Sequence, residues 1–231
     1  MKIAILETGH PPKRLAGRFP SYGRMTADLV GGGHDYRLID VQAEGLPEDP
    51  AAFDGYMITG SPAGVYDPDP WIVDLLGFLR GLDPRQKLVG ICFGHQALAQ
   101  AFGGHVEKSD RGWGLGLHSY TVAERLPFMD EAERIAVPVS HQDQVVRLPP
   151  AARVIAGSAF TPYGALAYSD RAALSFQCHP EFAPDYARAL TDGHPAAEQD
   201  PDFVRRALTS LEAPHDSQRV GGWIRQFLAE D

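Results

Sequence analysis

Hydrophobic residues occur in short continuous runs along the first half of the chain, and most runs end at glycine or polar residues. The runs that predict buried strands lie at 3–6, 56–59 and 87–92, and the segment 36–41 predicts a further strand. Continuous apolar runs of this length are typical of strands covered on both faces, as in a parallel sheet. Apolar positions at helical spacing predict helices over 22–30, 69–82 and 95–102. Strands that alternate with helices over short connections indicate a doubly wound α/β sheet.

The second half of the chain follows a different pattern. Strand-like runs are joined by hairpin-like connections at 115–122, 135–139, 153–159 and 165–177. They predict a smaller mixed or antiparallel section beside a mostly parallel central sheet with flanking helices. The tail alternates polar loops with helix candidates at 202–211 and 216–228. No repeat, low-complexity tract or linker interrupts the chain, so we predict a single domain over residues 1–231.

Composition and charge narrow the classes of function. Hydrophobic residues make up 44% and charged residues 22%, as in ordinary globular proteins. The net charge of -9 disfavours binding to nucleic acid or to an anionic membrane surface. No apolar run approaches the roughly 18 residues of a membrane span. The two cysteines, Cys92 and Cys178, are expected to be free thiols in a reducing cytoplasm, without a disulfide framework or a zinc site.

One segment at a predicted strand-to-helix junction reads Gly90-Ile91-Cys92-Phe93-Gly94-His95-Gln96. A sharp turn there would push the Cys92 side chain out at the carboxyl edge of the sheet, as in a nucleophile elbow. Glycine at 90 and 94 removes side chains that would meet neighbouring backbone. The following helix N-terminus offers free N–H groups and a positive dipole end, which stabilise a thiolate. We interpret Cys92 as a nucleophile; the alternative is a small buried residue at a tight turn.

A cysteine nucleophile needs a base, and the base needs a group that orients it. His179-Pro180-Glu181 follows a strand-like run and offers both. Residues two apart in an extended segment point to the same side, and Pro180 fixes the backbone between them. We therefore predict that His179 takes the proton of Cys92 and that Glu181 holds the imidazole tautomer.

These motifs together resemble the class I, triad-type glutamine amidotransferase family. The matching segments are Gly60-Ser61-Pro62 after the third predicted strand, the segment 90–96, and His179-Pro180-Glu181. Within the family, the segments 112–116 and 140–143 are similar to stand-alone members related to the glutaminase domain of GMP synthase. The resemblance covers nearly the whole chain, from Lys2 to about Phe182, and implies a flavodoxin-like, class I amidotransferase fold.

The resemblance also implies a role for each matching residue. Cys92 would attack the side-chain amide of glutamine and form a γ-glutamyl thioester, which releases ammonia and then glutamate. The backbone N–H groups of Phe93 and Ser61 would form the oxyanion hole. The residues implied in substrate binding are Gly60, Gln96, Ser140, Gln142 and Asp143. For Gln96 a capping or surface role is the alternative. No metal or other cofactor is implied.

Three functions remain open at this point. The first is release of ammonia from glutamine to a separate synthetase partner, since the chain has no P-loop and no room for a synthetase domain. The second is hydrolysis of another γ-glutamyl amide, such as a peptide or a polyamine. The third is a non-catalytic binding protein on the same scaffold. This function is disfavoured by the presence of all three predicted catalytic residues, Cys92, His179 and Glu181.

The pocket beyond the scissile bond should separate the first two functions. We expect residues 10–22 and 110–113 to border it. Basic residues in and near these segments would meet an acidic substrate or dock a partner; they are Lys13, Arg14, Arg18, Arg24 and Arg111.

Overall fold

A computed structural model describes residues 1–230. The strands are β1 (Lys2–Glu7), β2 (Asp35–Asp40), β3 (Gly55–Ile58), β4 (Lys87–Ile91), β5 (His105–Lys108), β6 (Gly114–Val122), β7 (Arg134–His141), β8 (Asp143–Arg147), β9 (Ala152–Gly157), β10 (Ala165–Tyr168) and β11 (Ala173–Phe176). The α-helices are α1 (Tyr22–Val30), α2 (Val41–Glu44), α3 (Pro70–Gly81), α4 (Phe93–Ala101), α5 (Pro184–Asp192), α6 (Pro201–Ser210) and α7 (Ser217–Ala229). None of these helices has both the length and the apolar character needed to cross a membrane.

The strands form one large sheet and one small one. The large sheet has nine strands in the order β2-β1-β3-β4-β11-β10-β9-β6-β7, and β5 pairs with β8. From β2 to β11 the strands run parallel. The remaining strands, β10, β9, β6 and β7, each pair antiparallel with their neighbours. The predicted α/β fold, a parallel core extended by an antiparallel section, is confirmed.

Side chains that alternate along the parallel strands fill both faces of the sheet. Ile3 and Ile5 of β1 pack on one face together with residues of α1 and α7. Ala4 and Leu6 pack on the other face with residues of α3 and α4. All four are fully buried, and burial of a large aliphatic side chain contributes about 1.5–3 kcal/mol. The strands are therefore fixed between two helical layers, as their continuous apolar runs predict.

The position of β11 brings distant parts of the chain together. β4 and β11 are adjacent parallel strands, with Ile91 opposite Phe176. Cys92 follows β4 directly, and His179 lies just beyond the end of β11. Because the carboxyl ends of adjacent parallel strands meet at one edge of a sheet, both residues lie at that edge.

The structure differs from the predicted elements in two places that matter for the site. The run 165–177 contains two strands, since the polar bend at 169–172 separates β10 from β11 and reverses the direction. The helix after β4 begins at Phe93, so Cys92 is its N-cap residue. The short elements α2, β5 and β8 were not predicted, because four or five residues are too few to show a period. The helix α5 was also not predicted, although Tyr186, Ala187 and Leu190 lie at helical spacing.

Candidate active site

Cys92 occupies a sharp turn between β4 and α4. Its backbone has φ 52° and ψ -101°. It is the only non-glycine residue within 1–230 that has a positive φ. Such a conformation costs about 1–3 kcal/mol and persists only where the surroundings hold it. Here the Cys92 N–H donates to the carbonyl oxygen of Phe176 on β11 at 2.8 Å. The turn places the side chain, which is 5% exposed, in the wall of a cavity.

Glycine on either side of Cys92 is required by close backbone contacts. A Cβ atom at Gly90 would collide with the carbonyl group of Gly94, and one at Gly94 would collide with the carbonyl oxygen of Ile58 on β3. The Gly94 N–H donates to the carbonyl oxygen of Thr59 at 3.1 Å. The start of α4 therefore lies directly against the end of β3.

His179 and Glu181 lie beside Cys92. The Nδ1–H of His179 donates to Oε1 of Glu181 at 2.7 Å, and both side chains are buried. Phe182 stacks on the imidazole, with ring centroids 4.0 Å apart and an interplanar angle of 7°. A Cβ atom at Gly60 would lie 2.9 Å from Cε1 of His179 and 3.7 Å from Cβ of Cys92. Because Gly60 has no side chain, the imidazole and the thiol can approach each other there. Glu181 binds Nδ1 of His179, so Nε2 is the ring nitrogen that remains free of Glu181.

Opposing influences act on the pKa of His179. Burial disfavours the imidazolium and lowers the pKa, but the Glu181 carboxylate and the Cys92 sulfur outweigh burial through their charge and hydrogen bonds. Together they raise the pKa of His179 to about 10. An imidazolium beside a cysteine sulfur favours the thiolate, which is the reactive form of the nucleophile.

Hydrogen bonds fix the turn after β3 against β1. The Thr8 hydroxyl donates to the Thr59 carbonyl oxygen at 3.0 Å, and the Thr8 N–H donates to the Thr59 hydroxyl at 3.0 Å. Ser61 follows this turn and lines the cavity. Phe93 begins α4, where the first N–H groups have no acceptor within the helix. Both segments predicted to supply the oxyanion hole are thus at the edge that carries Cys92.

A cavity of about 760 Å³ opens at this edge of the sheet. Its wall contains Cys92, His179 and each residue predicted to bind substrate, namely Gly60, Gln96, Ser140, Gln142 and Asp143. The predicted bordering segments also contribute, through His10, Pro12, Arg14, Tyr22 and Trp113. The side chain of Phe93 is 1% exposed and packs against Trp71 in the core. The backbone N–H of Phe93, and not its side chain, is therefore the group that could contribute to the predicted oxyanion hole.

Gln96 and Asp143 are joined at the cavity wall. Gln96 is 3% exposed, and its Nε2 donates to the backbone carbonyl oxygen of Asp143 at 2.9 Å and to Oε1 of Gln177 at 3.1 Å. The Asp143 carboxylate accepts a hydrogen bond from the Tyr66 hydroxyl at 3.0 Å, and burial raises the pKa of Asp143. Gln96 is therefore neither a surface residue nor a helix cap.

Comparison with known proteins identifies the family. The model of the glutamine amidotransferase class-I family matches residues 30–190. The chain belongs to this family. The resemblance of the motifs to class I glutamine amidotransferases is thereby confirmed.

Two relatives and one solved structure illustrate what this chain is similar to. Gamma-glutamyl peptidase 2 of Arabidopsis thaliana is 28% identical over 200 residues, which cover 84% of this chain and 80% of that protein. GMP synthase of Thermus thermophilus is 39% identical over 128 residues, which cover 55% of this chain and 24% of that protein. The crystal structure of a glutamine amidotransferase from Thermotoga maritima superposes with a TM-score of 0.78 at 18% identity, over 99% of this chain and 98% of that one.

Two features of the site were not predicted from the sequence. Gln177 is fully buried, and its Nε2 donates to Sγ of Cys92 at 3.7 Å. The hydroxyl of Tyr22 accepts a hydrogen bond from that of Tyr186 at 3.0 Å, and burial raises the pKa of Tyr22 to about 12. For Gln177 a signal was present, because residues two apart in the extended segment share a side with His179. Tyr22 lies at the end of the segment 10–22 that was expected to border the pocket, but no local pattern predicts its hydrogen bond with Tyr186.

Two of the basic side chains expected near the cavity, Arg14 and Arg24, bind other groups of the protein. Arg14 lines the cavity, but its guanidinium donates to the carbonyl oxygens of Ala189 at 2.7 Å and Leu190 at 2.9 Å, in the last turn of α5. Arg24 pairs with Asp28 at 2.9 Å on the surface of α1. The contacts of Arg14 join the N-terminal loop to α5. Recognition of an acidic substrate by these residues stays a prediction.

The other thiol and the acidic residues do not form a second site. Cys178 is 1% exposed in the core, and burial raises the pKa of its thiol. Within residues 1–230, no three His, Cys, Asp or Glu side chains are grouped so that they could hold a metal ion. The Asp67 carboxylate accepts a hydrogen bond from the Gly64 N–H at 2.7 Å.

Proposed function

We propose that this amidotransferase hydrolyses a γ-glutamyl amide bond, with Cys92 as nucleophile, His179 as proton carrier and Glu181 as the group that orients His179. The observation that carries the proposal is the buried cluster of these three side chains at the wall of a cavity. The strained backbone of Cys92 and the raised pKa of His179 support it, since perturbed groups of this kind concentrate at reactive sites.

The proposed reaction has two halves. The Cys92 thiolate forms a C–S bond to the γ-carbonyl carbon, and negative charge moves to the oxygen, towards the N–H groups of Phe93 and Ser61. The imidazolium of His179 gives its proton to the leaving nitrogen as the C–N bond breaks, which leaves a γ-glutamyl thioester. His179 then takes a proton from water as the water oxygen attacks the thioester. The C–S bond breaks, glutamate leaves, and the thiolate–imidazolium pair is restored.

The glutamyl end of the substrate is proposed to bind beside Asp143. The Asp143 carboxylate lines the cavity and offers a negative charge for an α-ammonium group. Gly60, Gln96, Ser140 and Gln142 line the same wall and would complete the contacts to the α-amino acid end. These residues would bind the γ-glutamyl group. The leaving group on the amide nitrogen would be selected by other residues of the cavity.

The amide that we favour is a γ-glutamyl peptide. The cavity of about 760 Å³ has the size of sites that bind drug-sized ligands, which exceeds what free glutamine needs. Beyond Cys92 its wall includes the aromatic side chains of Trp113 and His194, whose ring centroids are 4.5 Å apart. A relative that matches 84% of the chain is named a gamma-glutamyl peptidase. Each of these observations supports a leaving group larger than ammonia.

Glutamine is the second candidate substrate. It is favoured by the 39% identity to GMP synthase, a protein named as glutamine-hydrolysing. In that case the ammonia released at Cys92 would pass to a synthetase partner, which would have to be a separate protein. The reaction at Cys92 is the same for both substrates, so the leaving group distinguishes them.

The experiment is to measure glutamate release from glutamine and from a panel of γ-glutamyl peptides and γ-glutamyl polyamines. We expect kcat/KM for a γ-glutamyl peptide to exceed that for glutamine by about tenfold or more, because the leaving group of the peptide would fill the outer part of the cavity. Cys92→Ala should abolish release, whereas Cys178→Ala, at the buried thiol, should retain it. An alkylating glutamine mimic should label Cys92.

Other outcomes decide between the alternatives. Faster turnover of glutamine than of any γ-glutamyl peptide would favour the glutamine-dependent function with a synthetase partner. Full activity in Cys92→Ala would contradict the proposed nucleophile. Absence of turnover on the whole panel, together with tight binding of a γ-glutamyl compound, would favour a non-catalytic binding protein.

A further inference from the structure

A chain of buried amide groups connects the cavity wall to the sulfur of Cys92. Gln96 Nε2 donates to the backbone carbonyl oxygen of Asp143 at 2.9 Å and to Oε1 of Gln177 at 3.1 Å. Gln177 Nε2 in turn donates to Sγ of Cys92 at 3.7 Å. Gln96 is 3% and Gln177 0% exposed, so neither amide is solvated in place of these bonds.

The chemistry of the groups fixes the orientation of both side-chain amides. A backbone carbonyl oxygen can only accept, so Gln96 must turn its NH₂ group towards Asp143. The same NH₂ group then needs an acceptor on Gln177, which must present Oε1 to it. The NH₂ group of Gln177 is therefore left facing Cys92. A flipped Gln177 would place two NH₂ groups against each other and an oxygen lone pair against the sulfur.

We propose that Gln177 is a positioning residue for the nucleophile: its Nε2–H donates to Cys92 Sγ, favours the thiolate over the thiol and fixes the direction of the sulfur. The inference rests on the proposed function in that Cys92 is the nucleophile. A donor to a charged acceptor forms a stronger hydrogen bond than to a neutral one, and so stabilises the charged form.

The position of Gln177 in the fold suits this role. Its backbone follows β11, and its N–H donates to the carbonyl oxygen of Gly164 at 2.8 Å. The backbone of Cys92 is itself bonded to Phe176, the residue before Gln177. Donor and acceptor are thus carried by adjacent strands of the sheet, which hold them in register.

Other groups also influence the charge of Cys92. His179, which hydrogen-bonds to the sulfur, favours the thiolate, and the Glu181 carboxylate lies on the other side of the imidazole. Further ionisable side chains that interact with the sulfur are Tyr22, Tyr120 and Cys178. Burial raises the pKa of each of these three, so they are neutral at pH 7. Gln177 is therefore a neutral donor, and Gln177→Met removes it without changing the charges around the sulfur, whereas Gln177→Glu also adds a carboxylate.

The test is the pH dependence of Cys92 alkylation by iodoacetamide, with the labelled peptide identified by mass spectrometry. Gln177→Glu keeps the size and the acceptor for Gln96 but replaces the donor with a carboxylate oxygen. We expect its pH profile of Cys92 alkylation to move to higher pH, so that alkylation on the rising part of the profile slows by about tenfold. Gln177→Met, which lacks a donor and a charge, should shift in the same direction by less.

Controls separate this role from a structural one. Gln144→Met, at a buried glutamine of β8 outside this chain of amides, should leave the alkylation profile unchanged. An unchanged profile in Gln177→Met, which removes the donor without adding a charge, would overturn the inference. Because iodoacetamide is not a γ-glutamyl compound, this result stands apart from any failure of Cys92→Ala to abolish turnover, which would contradict the proposed function instead.

If the Gln177 variants fail to fold, the inference can be tested by NMR on the wild-type protein. The side-chain amide protons of Gln177 should shift in the NMR spectrum as Cys92 titrates, and the shift should be absent in Cys92→Ala. Gln177 amide resonances that do not respond to the titration of Cys92 would also overturn the inference.

Discussion

At the scale of single residues, the backbone of Cys92 provides a test that does not depend on catalysis. A positive φ strains any residue that carries a Cβ atom, and glycine escapes that strain. Cys92→Gly and Cys92→Ala both lack the sulfur and should both be inactive. We expect the glycine variant to be the more stable of the two by about 1 kcal/mol, measured by urea unfolding.

Ala97→Gly supplies the matched comparison. Ala97 lies in regular α4 backbone and is fully buried. There glycine should lower the free energy of unfolding by about 1 kcal/mol, the usual cost of glycine in a helix. If Cys92→Gly is instead less stable than Cys92→Ala by a similar amount, the turn holds no strain.

The protonation of His179 gives a second test at this scale. We expect its ring resonance in the NMR spectrum to titrate with a pKa of about 10, because Glu181 and Cys92 outweigh burial. Glu181→Gln removes the largest single raising influence, so the pKa of His179 should fall in this variant. Buried His141, whose pKa burial lowers to about 3, should show no titration near neutral pH.

The same shift predicts how stability depends on pH. The folded-state pKa of His179 lies above the value of about 6.5 for an unfolded histidine. Its stabilising contribution is therefore fully present below about pH 6.5 and is lost as the pH rises through about 10. Unfolding in urea at a series of pH values should show this loss in the wild type and a smaller one in Glu181→Gln.

At the scale of elements, the contact between α4 and β3 depends on Gly94. A Cβ atom there would overlap the backbone carbonyl of Ile58, which cannot move without breaking the sheet. We expect Gly94→Ala to lose several kcal/mol of stability or to fail to fold. Gly77→Ala is the matched control, because Gly77 is exposed in α3 with nothing within 4 Å of a new Cβ. It should gain about 0.5–1 kcal/mol in thermal or urea unfolding.

Local sequence patterns could predict the parts of the site that lie within one segment. The run ending at Cys92 showed a buried strand followed by a helix, and the glycines at 90 and 94 marked the sharp turn. The two-residue spacing of His179 and Glu181 indicated side chains on one face, and they bond at 2.7 Å. In each case the signal and the contact lie within a few residues of each other.

Contacts between distant segments could not be predicted in this way. Nothing local shows that β11 lies beside β4, and that pairing sets Gln177 against Cys92. The bond from Gln96 to the Asp143 carbonyl depends on where β8 begins, and β8 was itself missed. Side-chain periodicity reports which face is buried, but not which strand will be the neighbour.

At the scale of the whole molecule, one wall of the cavity is formed by the ends of sheet strands and the opposite wall by loops. The edge of the parallel sheet carries Cys92 and His179 on strands that are covered on both faces. The N-terminal loop and the segment after α5 form the outer wall, and Arg14 ties them together through Ala189 and Leu190. In many enzymes the reacting groups lie at the ends of sheet strands and loops select the substrate, because loop sequences can change without disturbing the core.

The outer wall gives a prediction about selectivity, carried by Trp113. This side chain is 40% exposed, lines the cavity and packs edge-on against His194. A leaving group larger than ammonia would contact it, whereas the amide nitrogen of glutamine ends at Cys92. We expect Trp113→Ala to lower kcat/KM for a γ-glutamyl peptide by about tenfold, typical of a lost apolar contact, and to leave glutamine within about twofold. Val73→Ala, at an exposed position of α3 away from the cavity, should change neither. An equal fall for both substrates would place Trp113 against the glutamyl group, and the outer wall would then have no part in choosing the amide.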